Sequence, residues 1–255
     1  MATSVSFRTP GLASLFPGLL MAESTRHGGV SPAPFHSLNL GLNTADDPAH
    51  VAANHVLFFQ RLGVEPGRVA SSHQVHGSAI LTVRTPGRVE GYDALITNEP
   101  DLFLTVTVAD CTPVLLVDPV RRAVAAIHAG WRGTAARITA HTLEAMQTTF
   151  GTRPGDCYAY IGTCIDACSF EVGPEVADAF APAHRRFDAD QGRHFVDLKA
   201  ANRHQLTQAG LPAAQIETSP YSTVLHHADY FSYRREGGHT GRMLAVVGFR
   251  ARSAP

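Results

Sequence analysis

Apolar, β-branched runs broken by single polar positions dominate the middle of the chain. Residues 102–132 read Leu-Phe-Leu-Thr-Val-Thr-Val-Ala, then Asp-Cys-Thr, then Pro-Val-Leu-Leu-Val-Asp-Pro, and later Ala-Val-Ala-Ala-Ile-His-Ala-Gly-Trp-Arg. Short continuous apolar runs bounded by turn residues predict buried strands. Further strands are predicted over residues 80–83, 91–97 (a turn feeding a strand), 158–162 and 243–249, and from Ile216.

Helical periodicity appears between these runs. Asp47-Pro48 is a start signal, a capping acid followed by proline at the first helical position. Val51, Val56, Phe58, Phe59 and Leu62 then share one face, and Gly63 supplies a stop. A second helix is predicted over residues 134–150, with Ala135, Ile138, Thr142, Ala145 and Met146 inward. A third opens over residues 174–180, and a fourth is capped by Asp197 and ends near Gly210. Residues 1–20 predict an irregular segment, and residues 24–31, 37–41 and 163–173 predict loops. Interleaved strands and helices imply a mixed α/β or α+β fold. With no internal repeat or long linker, residues 1–255 are expected to form one domain.

Composition narrows the function classes. The net charge of −1 offers no electrostatic footprint for nucleic acid or an anionic membrane. No run approaches the roughly 20 apolar residues of a membrane span. Residues 12–22 are apolar, but Pro17-Gly18 interrupts them, so a signal peptide is not expected. The four cysteines, Cys111, Cys157, Cys164 and Cys168, are too few for a disulfide framework in a chain this long, and a cytoplasmic protein with reduced thiols is expected.

Candidate chemistry sits where the apolar runs stop. Asp110-Cys111-Thr112-Pro113 puts an acid and a thiol where a core needs neither. His128 precedes Ala-Gly-Trp-Arg-Gly, which places the single tryptophan, Trp131, beside Arg132 and two glycines. His76 lies in the loop after another predicted strand. One Cys and two His match the ligand count of a catalytic zinc. The spacing matches no finger or knuckle, so two other readings stay open: a Cys111–His128 nucleophile pair, and an inert core cysteine. Arg132, at a predicted helix start, is a candidate for pairing with an anion. The deaminase, Walker A, dinucleotide-binding and serine-elbow signatures are absent.

Taken together, Gln74-Val-His-Gly77, Ala109-Asp-Cys-Thr-Pro-Val-Leu-Leu116 and His128-Ala-Gly-Trp-Arg-Gly133 resemble the signatures of the laccase-domain family. Its members were first called polyphenol oxidases and are now described as purine nucleoside phosphorylases with adenosine deaminase activity. Residues 25–31, 37–40, 170–173 and 231–235 also fall in family order, so the resemblance spans nearly the whole chain. It implies a four-layer αββα sandwich and one zinc held by His76, Cys111 and His128, with copper as the alternative metal. It also implies adenosine, inosine, guanosine and methylthioadenosine as substrates, cleaved by phosphate. Zinc would activate water for deamination or orient the substrate. The family also carries claims of copper-dependent phenol oxidation and of editing a cell-wall precursor, the latter matching a Cys-His hydrolase. Thr163 and Ser222 depart from the family's usual proline and cysteine, away from the triad. Under this reading Cys111, His128 and Arg26 are the catalytic candidates. Arg26, Arg132 and Arg234 are candidates for phosphate or ribose, and Asn39, Gln74 and Glu171 for base or sugar. Loss of Arg26 is expected to weaken phosphate use.

Overall fold

A computed structural model describes residues 4–252. In chain order the N-terminal part holds β1 (Phe7–Arg8), β2 (Leu19–Ser24), α1 (Pro48–Leu62) and β3 (Val69–His73). The middle holds β4 (Ile80–Thr82), β5 (Gly87–Glu90), β6 (Ala94–Thr97), β7 (Phe103–Val108), β8 (Thr112–Asp118) and β9 (Ala123–Ala129). Then come α2 (Trp131–Ala135), α3 (Ile138–Phe150), β10 (Tyr158–Ile161), β11 (Glu171–Val172) and α4 (Pro174–Ala177). The chain closes with β12 (Arg185–Asp188), β13 (Arg193–Val196), α5 (Leu198–Gln208), β14 (Ile216–Thr218) and β15 (Met243–Phe249).

Two six-stranded mixed sheets carry the structure. One has the order β1-β2-β15-β7-β3-β5 and the other β14-β10-β8-β9-β6-β4. Their facing sides share one core: Met21, Leu104, Val106, Ala245 and Val247 from the first meet Leu95, Leu115, Val117, Val124 and Ala126 from the second. The outer side of the first sheet packs Ala22, Leu244 and Val246 on Phe58 and Phe59 of α1. The outer side of the second packs Val114, Leu116, Ala125 and Ile127 on Leu143 and Met146 of α3 and Leu206 of α5. The layers are therefore αββα, and the central strands are apolar on both faces because both faces are covered.

Local signals placed several elements. Asp47 accepts the Ala49 N–H at 2.8 Å, and Gly63 ends α1 in the left-handed conformation at φ 64°. Val51, Phe58 and Phe59 are buried, but Val56 faces solvent. Four expectations need correction. Leu19–Ser24 is an interior strand of the first sheet, second from its edge between β1 and β15, and β1 itself lies in the segment expected to be irregular. The single helix expected over residues 134–150 is two, because Arg137 takes φ 60° between α2 and α3. β5 is an additional edge strand, and β11, β13 and β12 form a small third sheet. The helix opened by Pro174 runs only to Ala177. Among the described residues no helix is long and apolar enough to cross a membrane.

Candidate metal centre and active-site cavity

The antiparallel pair β8–β9 sets two of the three candidate ligands side by side. Pro113 pairs with His128, so His128, near the end of β9, lies opposite the start of β8, where the chain leaves Cys111. Cys111 is reached through Asp110, which takes φ 85°, unusual for a residue with a side chain. That turn is held from three directions. Asp110 Oδ1 accepts Thr223 Oγ1–H at 2.5 Å, Oδ2 accepts the Arg234 N–H at 2.6 Å, and the Asp110 carbonyl accepts the Ile165 N–H at 3.0 Å.

His76 arrives from the loop between β3 and β4, also in a left-handed conformation at φ 58°. Asp93, just before β6, holds this loop. Its carboxylate accepts the main-chain N–H of Val75, His76 and Gly77 at 3.3, 3.0 and 2.7 Å. It also accepts the Nδ1–H of His128 at 2.8 Å, which leaves Nε2 of that ring for the cluster. Sequence reasoning missed Asp93. The available signal was an acid at the head of an apolar strand, Gly91-Tyr92-Asp93-Ala94-Leu95-Ile96.

The donor atoms of His76, Cys111 and His128 all lie within 4.8 Å of one another. The two imidazoles meet edge to face with centroids 4.8 Å apart, and both reach the Cys111 sulfur. Gly130 leaves the space they enclose. A Cβ there would stand 3.1 Å from Cys111 Sγ, 3.4 Å from His76 Cδ2 and 3.8 Å from His128 Cε1.

Electrostatics favour the ligating form of the thiol. Burial alone would push Cys111 up, but the His128 and His76 imidazoles reverse this and bring it down to about 6. Burial would likewise lower His128, but the Cys111 thiolate and Asp93 raise it to about 9. One thiolate and two imidazoles on a rigid, glycine-floored cradle fit a zinc-type ion, and an aspartate orients one imidazole as zinc sites commonly require. The same soft donor set also accepts copper.

The cluster faces a cavity of about 570 Å³. Gln74, Arg132 and Arg234 line it, as do Arg88, Arg242, Trp131, Phe170 and Tyr233, which the sequence did not single out together as one site. Gln74 has little amide left for a ligand, since Nε2 donates to the Thr107 carbonyl and Oε1 accepts the Thr107 N–H, both at 2.8 Å. Arg132 stacks on Trp131 at 4.3 Å, and Arg234 lies 5.5 Å from the Phe170 ring. Among the described residues, none of the four cavity arginines pairs with a carboxylate within 4.0 Å, whereas arginines elsewhere do.

Three expected site residues are not brought to the cavity wall. Arg26 donates to the carbonyls of His36 and His227, pairs with Glu236 at 3.1 Å and covers the Phe231 ring. Asn39 is fully buried, bonded to Thr44, Asp46 and the main chain of Gly41 and Arg242. Glu171 pairs with Arg193 at 2.7 Å.

The model of the family described as multi-copper polyphenol oxidoreductase laccase matches residues 20–250. The chain belongs to this family. Relatives within it carry a different activity in their names. A purine nucleoside phosphorylase of Deinococcus radiodurans is 40% identical over 95% of each chain. One from Bacteroides thetaiotaomicron is 39% identical, covering 88% of this chain and 89% of its own. Among solved structures, YlmD from Geobacillus stearothermophilus superposes with a TM-score of 0.88 at 37% identity, covering 92% of this chain and 93% of its own. The laccase-domain fold expected from the sequence is thus shown, and the Cys-His-His cluster lies within the matched region.

Proposed function

We propose that this laccase-domain chain is a zinc-dependent purine nucleoside phosphorylase. Its substrates are adenosine, inosine, guanosine and methylthioadenosine, and adenosine deamination is a second reaction of the same cavity. One observation carries the reading: a Cys-His-His cluster and four arginines that, among the described residues, have no carboxylate partner open onto a single cavity. Its volume falls in the small-molecule range of about 300–1,000 Å³. The names of the family relatives point the same way.

Phosphorolysis breaks the bond between the purine nitrogen and ribose C1′ and joins C1′ to a phosphate oxygen. The electron pair of the broken bond leaves with the base, which then takes a proton. Positive charge builds on the sugar, so the chain must hold phosphate close without quenching it. Guanidinium groups suit this, because they donate hydrogen bonds yet do not give up a proton. Arg132 and Arg234 stand at the cavity with Trp131 and Phe170, whose flat faces fit a purine. His76, Cys111 and His128 would hold the zinc, which supplies Lewis acidity at neutral pH. Arg26, Asn39 and Glu171 stand off the cavity wall: Arg26 pairs with Glu236, Asn39 holds the Arg242 main chain, and Glu171 pairs with Arg193.

The test joins elemental analysis of the purified protein to incubation with adenosine and phosphate, read by chromatography. Adenine with ribose 1-phosphate reports phosphorolysis, and inosine reports deamination. Cys111→Ala is expected to remove both metal and turnover; full phosphorolysis without metal overturns the scheme. Copper-dependent dye oxidation without phosphorolysis would instead favour a phenol oxidase. Stoichiometric labelling of Cys111 in active, metal-free protein would favour a Cys-His hydrolase.

A further inference from the structure

We infer that Arg242 is the residue that seats the phosphate co-substrate, an assignment that rests on the phosphorolysis reading of this cavity. The fold brings it there from the far end of the chain. Met243 pairs with Val108 across β15 and β7, so Arg242 continues the register toward Ala109, two residues short of Cys111. The side chain thus enters the cavity next to the metal cluster.

Its position is built rather than incidental. The Arg242 N–H donates to Asn39 Oδ1 at 2.9 Å, and its carbonyl accepts the Leu40 N–H at 3.0 Å. The aliphatic stem lies on Gly41, where a Cβ would come within 2.5 Å of Arg242 Cγ. Nη1 donates to the carbonyls of Thr240 and Gly241, both at 2.9 Å, and the guanidinium lies 5.5 Å from the Tyr233 ring. These contacts fix the plane of the guanidinium and use one of its nitrogens. Among the described residues, Nε and Nη2 have no hydrogen-bond partner and no carboxylate stands within 4.0 Å. That free edge is the two-donor fork that matches an oxyanion.

Burial separates Arg242 from its neighbours. Arg88, Arg132 and Arg234 are exposed, whereas Arg242 is half-buried. A desolvated cation without a counterion is costly, and a bound dianion offsets that cost. The exposed three suit attraction at the mouth, and Arg242 suits seating inside. Asn39, expected at the substrate, instead acts here through the Arg242 main chain.

The test uses the metal-loaded protein and two variants, R242Q and R242K. Inorganic phosphate is titrated calorimetrically without nucleoside, and the KM values for phosphate and adenosine are measured separately. R242Q is expected to raise the phosphate KM by about tenfold or more, through loss of charge-assisted hydrogen bonds. It should weaken phosphate binding in parallel and move the adenosine KM far less. R242K keeps the stem and charge but loses the fork, and is expected to raise the phosphate KM severalfold; it decides the matter if R242Q is unstable. Wild-type phosphate binding and KM in either folded variant overturn the assignment, even where the native protein is a phosphorylase. If the native protein binds phosphate but cleaves no nucleoside, and R242Q abolishes that binding, the phosphorolysis reading fails while the anion site stands.

Discussion

One oxygen of Asp93 touches both histidines of the cluster: Oδ1 accepts His128 Nδ1–H at 2.8 Å and the His76 N–H at 3.0 Å. The Asp93 carbonyl also accepts the His128 N–H at 2.7 Å. A single buried carboxylate therefore sets the loop of one ligand and the ring of another. Asp93→Asn keeps the shape but removes the charge that opposes the imidazole. Metal affinity is expected to fall about 10–100-fold, measured by competition with a chromophoric chelator. An unchanged affinity in a folded variant would sink this role.

The cluster was only partly legible in the sequence. Cys111 and His128 stand out because each interrupts an apolar run, and a strand period makes such interruptions visible. Asp93 does not, because its partners come from another loop and another strand, and only the sheet order brings β6 beside β9. α1 was readable from its caps, which are local chemistry. β2 was not, because Pro17-Gly18 masks the start of its apolar run, and β12–β13 carry arginines and little alternation. Arg26 and Arg242 look alike in sequence, each within two residues of a glycine. Only the folded chain separates the one paired with Glu236 away from the cavity from the one that lines it without a carboxylate partner among the described residues.

Gly130→Ala isolates the cradle from the ligands. Its backbone, at φ −68° and ψ 174°, is open to any residue, so no strain arises from conformation. The added methyl would meet Cys111 Sγ at 3.1 Å and His76 Cδ2 at 3.4 Å. We expect metal content after dialysis to drop while the melting temperature of the metal-free protein barely moves. Full metal retention would show that the ligands yield to the methyl.

Metal uptake should depend on pH through His128. In the metal-free protein this imidazole keeps its proton up to about 9, and Cys111 is already a thiolate above about 6. A metal bonding Nε2 must displace the His128 proton. Apparent affinity is therefore expected to rise about tenfold per pH unit between pH 7 and 9, then level off. Below pH 6 protonation of Cys111 adds a second competing proton, so affinity falls more steeply there. Zinc competition titrations across this range check it, and a flat profile from pH 7 to 9 would refute the coupling.

Arg26→Ala should report on stability rather than on phosphate. The guanidinium donates to the His36 carbonyl at 3.0 Å and the His227 carbonyl at 3.1 Å, and pairs with Glu236 at 3.1 Å. Its carbon sits 4.5 Å above the Phe231 ring, and its side chain is 14% exposed, so these bonds are largely shielded from water. Removing it leaves the His36, His227 and Tyr230 carbonyls without this donor and takes a cation from Glu236, which still accepts the Ser232 N–H and the Thr240 hydroxyl. Hydrogen bonds to charged groups contribute about 1.5–3 kcal/mol each, and the set is partly redundant, so a loss of about 2–4 kcal/mol is expected. Urea unfolding measures this as a lower midpoint at constant slope. In the surviving folded enzyme, phosphate and nucleoside KM values should shift together. A selective rise in the phosphate KM with unchanged stability would restore Arg26 to the anion site and remove it from the structural role.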